Sequence, residues 1–258
     1  MIFESHAHYD DEAFDEDRES LLLSLAGYGI DRVINVGASL AGCRATLELM
    51  EKYPFVYGAM GVHPSETAEL SEEGIAWLRE QCSRNKVVAV GEIGLDYYWK
   101  EPEGAVQKRW FERQLELARE VALPVIIHSR DAAKDTLDMM RALHAEEMGG
   151  VVHCYSYTKE LAREYLNMDF YFGIGGVITF KNAKKLKEAV DYIPLDKILL
   201  ETDSPYLAPE PNRGKRNSSL NLPYIAQAVA ELKGVSREEV EEATSRNAER
   251  LFSKVHAS

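Results

Sequence analysis

A chain of 258 residues with 45% hydrophobic content has room for one barrel-sized domain or two small ones, and its composition is ordinary for a globular enzyme. Its formal net charge of -13 argues against a broad nucleic-acid surface, which needs a basic patch to release counterions. A phosphate substrate stays open, because divalent cations held by the protein's own carboxylates would supply positive charge locally. No apolar run approaches the roughly 20 residues that span a bilayer, the N-terminus enters acidic Asp10-Asp11-Glu12 without a basic start or cleavage site, and the widely spaced Cys43, Cys82 and Cys154 suit reduced thiols. A cytoplasmic protein is expected, with no membrane association and no obligate protein partner.

The chain opens on an apolar strand, Ile2 to His8, in which His6 and His8 stand one residue apart. Side chains in a strand alternate faces, so the two imidazoles point the same way and can share one cation. An acidic stretch, Asp10 to Asp17, leads into a helix with Leu21, Leu22, Leu25 and Ala26 on one face, ended near Gly27 or Gly29. A second strand, Arg32 to Gly37, and a helix from about Ser39 to Tyr53 follow. Phe55 to Val62 is the third strand, ending at His63-Pro64, and Ser71 caps the next helix.

Val87 to Glu92 is the fourth strand, and Pro102 to Val121 the longest amphipathic helix so far, on Val106, Trp110, Leu117 and Val121. Pro124 to His128 makes a fifth strand, Ala132 to Leu143 a helix, Val151 to His153 a sixth strand and Lys159 to Leu166 a helix. Phe170 to Ile174 is a seventh strand, Asn182 to Val190 a helix, and Ile198 to Asp203 the eighth strand. Two more helices complete the chain, near Pro223 to Leu232 and Arg237 to Phe252, the latter started by a capping box of Ser236 and Glu239.

Short apolar strands alternating with helices describe a parallel sheet covered on both sides. The expected fold is α/β, a single TIM-type (β/α)8 barrel over residues 1–258 with extra C-terminal helices. An open doubly wound sheet would call for a Gly-rich phosphate loop near the first turn, and none is present. Barrel enzymes place their sites at the carboxyl ends of the strands. His6, His8, Glu92, His128, His153 and Asp203 all fall at such ends. By period-two alternation Glu92 continues the row of Val88 and Val90, His128 that of Ile126, and Asp203 that of Leu199 and Glu201. A carboxylate there is costly unless it is paired or bound to metal. This set exceeds the ligands of one tetrahedral zinc, so two divalent ions are expected, with Glu92 the candidate bridge and zinc, manganese or magnesium all suited to imidazole and carboxylate donors.

The stretches Ser5-His6-Ala7-His8-Tyr9-Asp10, Gly61-Val62-His63-Pro64, Gly91 to Tyr97, His128-Ser129-Arg130-Asp131-Ala132, His153-Cys154-Tyr155-Ser156 and Glu201 to Leu207 resemble, in order and over essentially the whole chain, the TatD family of metal-dependent hydrolases. The resemblance implies that His6, His8, Glu92 and Asp203 hold one metal and that Glu92, His128 and His153 hold the second. It also implies an exonuclease acting on DNA ends or single-stranded oligonucleotides. Two departures stand out. Glu4 replaces the usual Asp before the first His pair, and Arg216-Asn217 is separated from Pro223 where the family commonly reads Arg-Asn-Glu-Pro.

The expected chemistry is phosphodiester hydrolysis by a metal-activated water, with Asp203 accepting the proton and Glu92 holding metal. Arg130 is the candidate phosphate clamp, against a structural pairing with a nearby acid. His63, Asp96 and Tyr97 are candidates for positioning substrate, and Tyr97, Tyr98 and Trp99 stand where they can stack bases or pack as a lid. The alternatives are a metal-dependent ester or amide hydrolase, such as an aminoacyl-tRNA deacylase, and a metal-binding scaffold without turnover.

Overall fold

The computed structural model describes residues 1–256. In chain order its elements are β1 (Ile2–Ala7), α1 (Arg18–Ser24), β2 (Ile30–Val36), α2 (Leu40–Lys52), β3 (Val56–Met60), α3 (Glu72–Gln81), β4 (Val87–Asp96), α4 (Gly104–Val121), β5 (Val125–Arg130) and α5 (Ala133–Ala142). Then come β6 (Gly150–Val152), α6 (Lys159–Leu166), β7 (Tyr171–Ile174), α7 (Lys184–Tyr192), β8 (Ile198–Leu200), α8 (Leu222–Lys233) and α9 (Arg237–Leu251). The eight strands follow sheet order β1 to β8, which with the intervening helices makes a TIM-type (β/α)8 fold. The two C-terminal helices expected near Pro223 to Leu232 and Arg237 to Phe252 form as α8 and α9, with α8 completing the eighth β/α pair. No helix among the described residues is long and apolar enough to cross a membrane.

The chain packs as two compact units, each drawn from three segments. Among the described residues, one comprises Met1–Asn35, Cys154–Asn167 and Tyr171–Arg250, and the other Val36–His153, Met168–Phe170 and 251–256.

In the first unit β1 is buried along its whole length, as a parallel strand covered on both faces must be. It pairs with β2 from Ile2↔Ile30 to Ala7↔Asn35, β7 pairs with β8, and an isolated bridge joins Ala7 to Ser204. Tyr155 stands edge-on to Phe172 at 5.0 Å between ring centroids, a favoured aromatic geometry. The capping box at α9 forms as expected, with Ser236 Oγ accepting from Glu239 N–H while Glu239 accepts from Ser236 N–H.

Periodicity ended β8 at Asp203, but the strand stops at Leu200. The reason is a competing acceptor: the Thr202 N–H and hydroxyl both turn to the buried Glu4 carboxylate, at 2.9 and 2.7 Å. Asp203 then adopts a left-handed backbone, φ 55°, so simple alternation with Leu199 and Glu201 does not carry to it.

In the second unit the Ser39 and Ser71 hydroxyls cap α2 and α3, the Ser71 cap as expected. Apolar periodicity described α4 incompletely, because the helix also buries Gln107 and Gln114. Gln114 accepts from Val62 N–H at 2.8 Å and donates to Val62 O, while Gln107 does the same for Asp96 at 2.9 Å. Two amides seven residues apart on one helix face thereby satisfy buried backbone groups that a strand neighbour would otherwise pair.

Strand β4 runs four residues past its expected end at Glu92. Its pairing with β5 jumps from Val90↔Val125 to Ile93↔Ile127, an extra residue on β4 that re-aims Glu92 and breaks strict alternation at that point. Beyond the irregularity the strands come so close that a Cβ on Gly94, where φ is +149°, would lie 1.9 Å from the His128 carbonyl oxygen. Gly94→Ala is accordingly expected to destabilise the protein by about 3 kcal/mol through a combined backbone and overpacking penalty. Urea unfolding should show a lowered midpoint at unchanged slope, and an unmoved midpoint would mean that β5 can retreat from β4 at no cost.

Candidate metal centre

The second unit gathers its donors around Glu92, which is almost wholly buried. Glu92 Oε1 lies 2.6 Å from His128 Nδ1, 3.3 Å from His153 Nε2 and 3.6 Å from His63 Nε2. His128 comes from β5, where its residue pairs with Gly94. His153 follows β6 directly, its N–H still bonded to Ile127 O at 3.0 Å. His63 follows β3 and caps a 3-10 turn, with its Nδ1 accepting from Ser65 N–H. Nδ1 is thus engaged with the turn while Nε2 faces Glu92. The structure brings together the expected trio of Glu92, His128 and His153. It adds His63, which the sequence suggested only as a substrate contact.

Asp96 completes this cluster from behind. Its Oδ2 accepts from His128 Nε2 at 3.0 Å and its Oδ1 from Tyr98 N–H at 3.0 Å. Such a carboxylate fixes the tautomer and plane of an imidazole whose other nitrogen faces a metal site.

The electrostatics of this cluster fit a cation. Burial alone would raise the Glu92 carboxyl, yet the imidazoles of His153, His63 and His128 outweigh it and hold it well below the usual carboxylate range. Burial likewise pushes His63 down, to about 4, with the neighbouring His128 adding to the effect. His128 goes the other way: burial would lower it, but hydrogen bonds to Asp96 and Glu92 outweigh burial and raise it. Two buried carboxylates thus draw positive charge to the nitrogens between them, and a divalent ion held by the same atoms meets that demand.

The first unit holds a second cluster. His6 Nε2 and His8 Nε2 lie 3.1 Å apart, and Asp203 Oδ1 is 3.4 Å from His8 Nε2 and 3.8 Å from His6 Nε2. Alternation in β1 accounts for the shared direction of the two rings, as expected. Asp203 reaches them through backbone bonds, its N–H donating to His6 O at 3.0 Å. Three donor atoms of types suited to zinc, manganese or magnesium converge here without a thiolate.

Two residues that the sequence did not assign to the site shape this second cluster. Glu4 accepts from the His6 N–H at 3.3 Å as well as from Thr202, so this carboxyl acts on the backbone beside His6 and Asp203. Burial pushes its carboxyl up to about 8, with the Thr202 hydroxyl the largest pull in the other direction. Asn217 is fully buried, and its amide donates to Thr202 O at 2.8 Å and Tyr206 O at 2.7 Å, clamping both sides of Asp203. Asn221 in turn donates to Asn217 Oδ1 at 2.7 Å. The loop around Asn217 thus forms a backbone clamp on the Asp203 turn. Arg216 beside it forms a paired bond to Asp17 at 2.6 and 2.7 Å.

The remaining sequence candidates lie at the ends of β4 and β5. Arg130 is exposed and sits with its guanidinium carbon 3.8 Å over the Tyr98 ring. Tyr97 is half-buried and donates its hydroxyl to Asp135 at 2.7 Å, which also pairs with Lys108.

Comparison with known proteins agrees over the full length. The chain matches the TatD related DNase family over residues 3–253. It is 43% identical over 252 residues to the metal-dependent hydrolase YabD of Bacillus subtilis, covering 98% of this chain and 99% of YabD. It is 34% identical to the 3'-5' ssDNA/RNA exonuclease TatD of Cronobacter sakazakii, covering 98% of each. Among solved structures, YjjV, a TatD homologue from Escherichia coli K12, superposes with a TM-score of 0.92 at 30% identity over 98% of both chains. The chain belongs to the TatD family of metal-dependent hydrolases.

Proposed function

We propose that this protein is a metal-dependent exonuclease that hydrolyses phosphodiester bonds at DNA ends or in single-stranded oligonucleotides. The observation that carries the proposal is the convergence of buried and half-buried imidazole and carboxylate donors, without thiolate, in both clusters. The kinship with a relative named as an ssDNA/RNA exonuclease supports the substrate class.

His6, His8 and Asp203 would hold one divalent ion, and Glu92, His128 and His153 a second, with His63 alongside. Such ions supply Lewis acidity toward water and toward the phosphoryl oxygens. The chain's own residues do the rest. Asp203 is partly exposed, and its carboxylate receives the proton of the attacking water as the new oxygen–phosphorus bond forms. The bond from phosphorus to the leaving oxygen breaks, and that oxygen is protonated from solvent. Asn217 keeps the Asp203 turn in place while the carboxylate gains the proton, and Asp96 keeps the His128 ring aligned.

Removing divalent ions with a chelator should abolish hydrolysis of single-stranded oligonucleotides, and adding manganese back should restore it. Full activity after confirmed metal loss would refute metal dependence. Aminoacyl esters run in the same panel should remain intact, and their cleavage in place of oligonucleotides would mark a carbonyl hydrolase instead. Asp203→Asn keeps the shape of the side chain but not its basicity. At saturating manganese it should fold normally and turn over at least about a hundredfold more slowly. Near-normal turnover under those conditions would limit Asp203 to holding metal.

A further inference from the structure

Two large aromatic side chains, Tyr98 and Trp99, stand side by side with 55% and 52% of their surface exposed. Their rings meet edge to face, 5.0 Å apart at 89°, so Tyr98 braces Trp99, about half of whose surface remains exposed. The Arg130 guanidinium carbon lies over the Tyr98 ring, 3.8 Å from its centroid. Stacking holds a guanidinium in plane while its N–H donors point outward from the edge, a geometry suited to phosphate oxygens.

The backbone beneath these side chains is pinned to the metal cluster of the same unit. Asp96 holds the Tyr98 N–H with one carboxylate oxygen and His128 Nε2 with the other. The Tyr97 N–H donates to Arg130 O at 2.9 Å, and Asp96 pairs with Arg130 in the sheet register. The Tyr97 hydroxyl is tied to Asp135, so Tyr97 anchors the turn while Tyr98 and Trp99, the two residues that follow, are exposed. One carboxylate thus sets the position of the aromatic pair relative to an imidazole of the site.

We propose that Trp99, braced by Tyr98, is a stacking platform for an unpaired base of a single-stranded nucleic acid, and that Arg130 takes the adjoining phosphate. This rests on the phosphodiesterase reading and adds what selects single strands. A base within a duplex has both faces covered by its neighbours, whereas an unpaired base offers a face to an aromatic ring, with little dependence on its identity. The platform therefore admits frayed or single-stranded ends of any sequence, and it does so through a few side chains despite the net charge of -13.

The test uses manganese-loaded protein and an oligodeoxythymidylate made resistant to cleavage with phosphorothioate linkages, compared with a matched strand lacking bases. Fluorescence anisotropy should give wild-type binding roughly tenfold tighter for the base-bearing strand, the order expected of one base on one aromatic ring. Trp99→Ala should erase that preference and Trp99→Phe should keep most of it. A Trp99→Ala protein that retains the wild-type ratio would overturn the platform. Arg130→Ala should weaken both strands alike and reduce the salt dependence by about one counterion, and an unchanged slope would overturn the phosphate contact. Hydrolysis of bis(p-nitrophenyl) phosphate by the wild type separates the two proposals. Hydrolysis without base-dependent binding sinks the platform alone, and base-dependent binding without hydrolysis sinks the phosphodiesterase reading alone.

Discussion

A carboxylate removed from water is costly unless opposite charge or hydrogen-bond donors replace the lost solvation, at several kcal/mol per ion. Glu92 is such a carboxylate, and the features of its unit can be traced to that demand. Three imidazoles from the ends of β3, β5 and β6 stand within 3.6 Å of one of its oxygens. An extra residue in β4 turns Glu92 toward them, and Gly94 lets β5 approach closely enough to present His128. Gln107 holds the backbone at Asp96, whose carboxylate orients His128 from the far side. Positive charge drawn between buried acids is the property that makes the cluster a place for a divalent ion.

The first unit meets a related demand by other means. Its strand β1, which leads to His6 and His8, also carries the buried Glu4, whose oxygens take the Thr202 donors out of the sheet ladder and so end β8 early. That early end frees the chain to turn left-handed at Asp203 and bring its carboxylate to His6 and His8. Asn217 then bonds the carbonyls on either side of the turn. Gly173 makes room for another buried acid, since a Cβ there would lie 2.0 Å from Glu201 Oε2, and Glu201 Oε1 accepts the Cys154 N–H at 2.6 Å. Both units thus use buried acids to shape backbone as well as to gather charge.

Much of this was legible in the sequence, for identifiable reasons. Period-two alternation applies wherever a strand is regular, so the shared direction of His6 and His8 and the strand origin of His128 could be read directly. Caps at Ser71 and Ser236 follow from local chemistry that needs no tertiary information. Alternation has no force where the chain departs from a regular strand, at the β4 irregularity and at the Asp203 turn. Those features depend on Glu4 and on a close β4–β5 contact, set by residues distant in sequence. Gln107, Gln114 and Asn217 were missed because a buried amide bonded to backbone leaves no apolar period. Its signature is a polar residue interrupting a helix face or lying in a loop, which composition cannot separate from a solvated one.

The account stands most directly on metal stoichiometry, measured by elemental analysis of the purified protein equilibrated with manganese. It predicts two ions per chain for the wild type. His128→Ala should lose the ion held around Glu92 and keep the other, while His8→Ala should lose the ion held beside Asp203 and keep the one at Glu92. Wild-type protein that binds no divalent ion, or both variants retaining the wild-type stoichiometry, would contradict it.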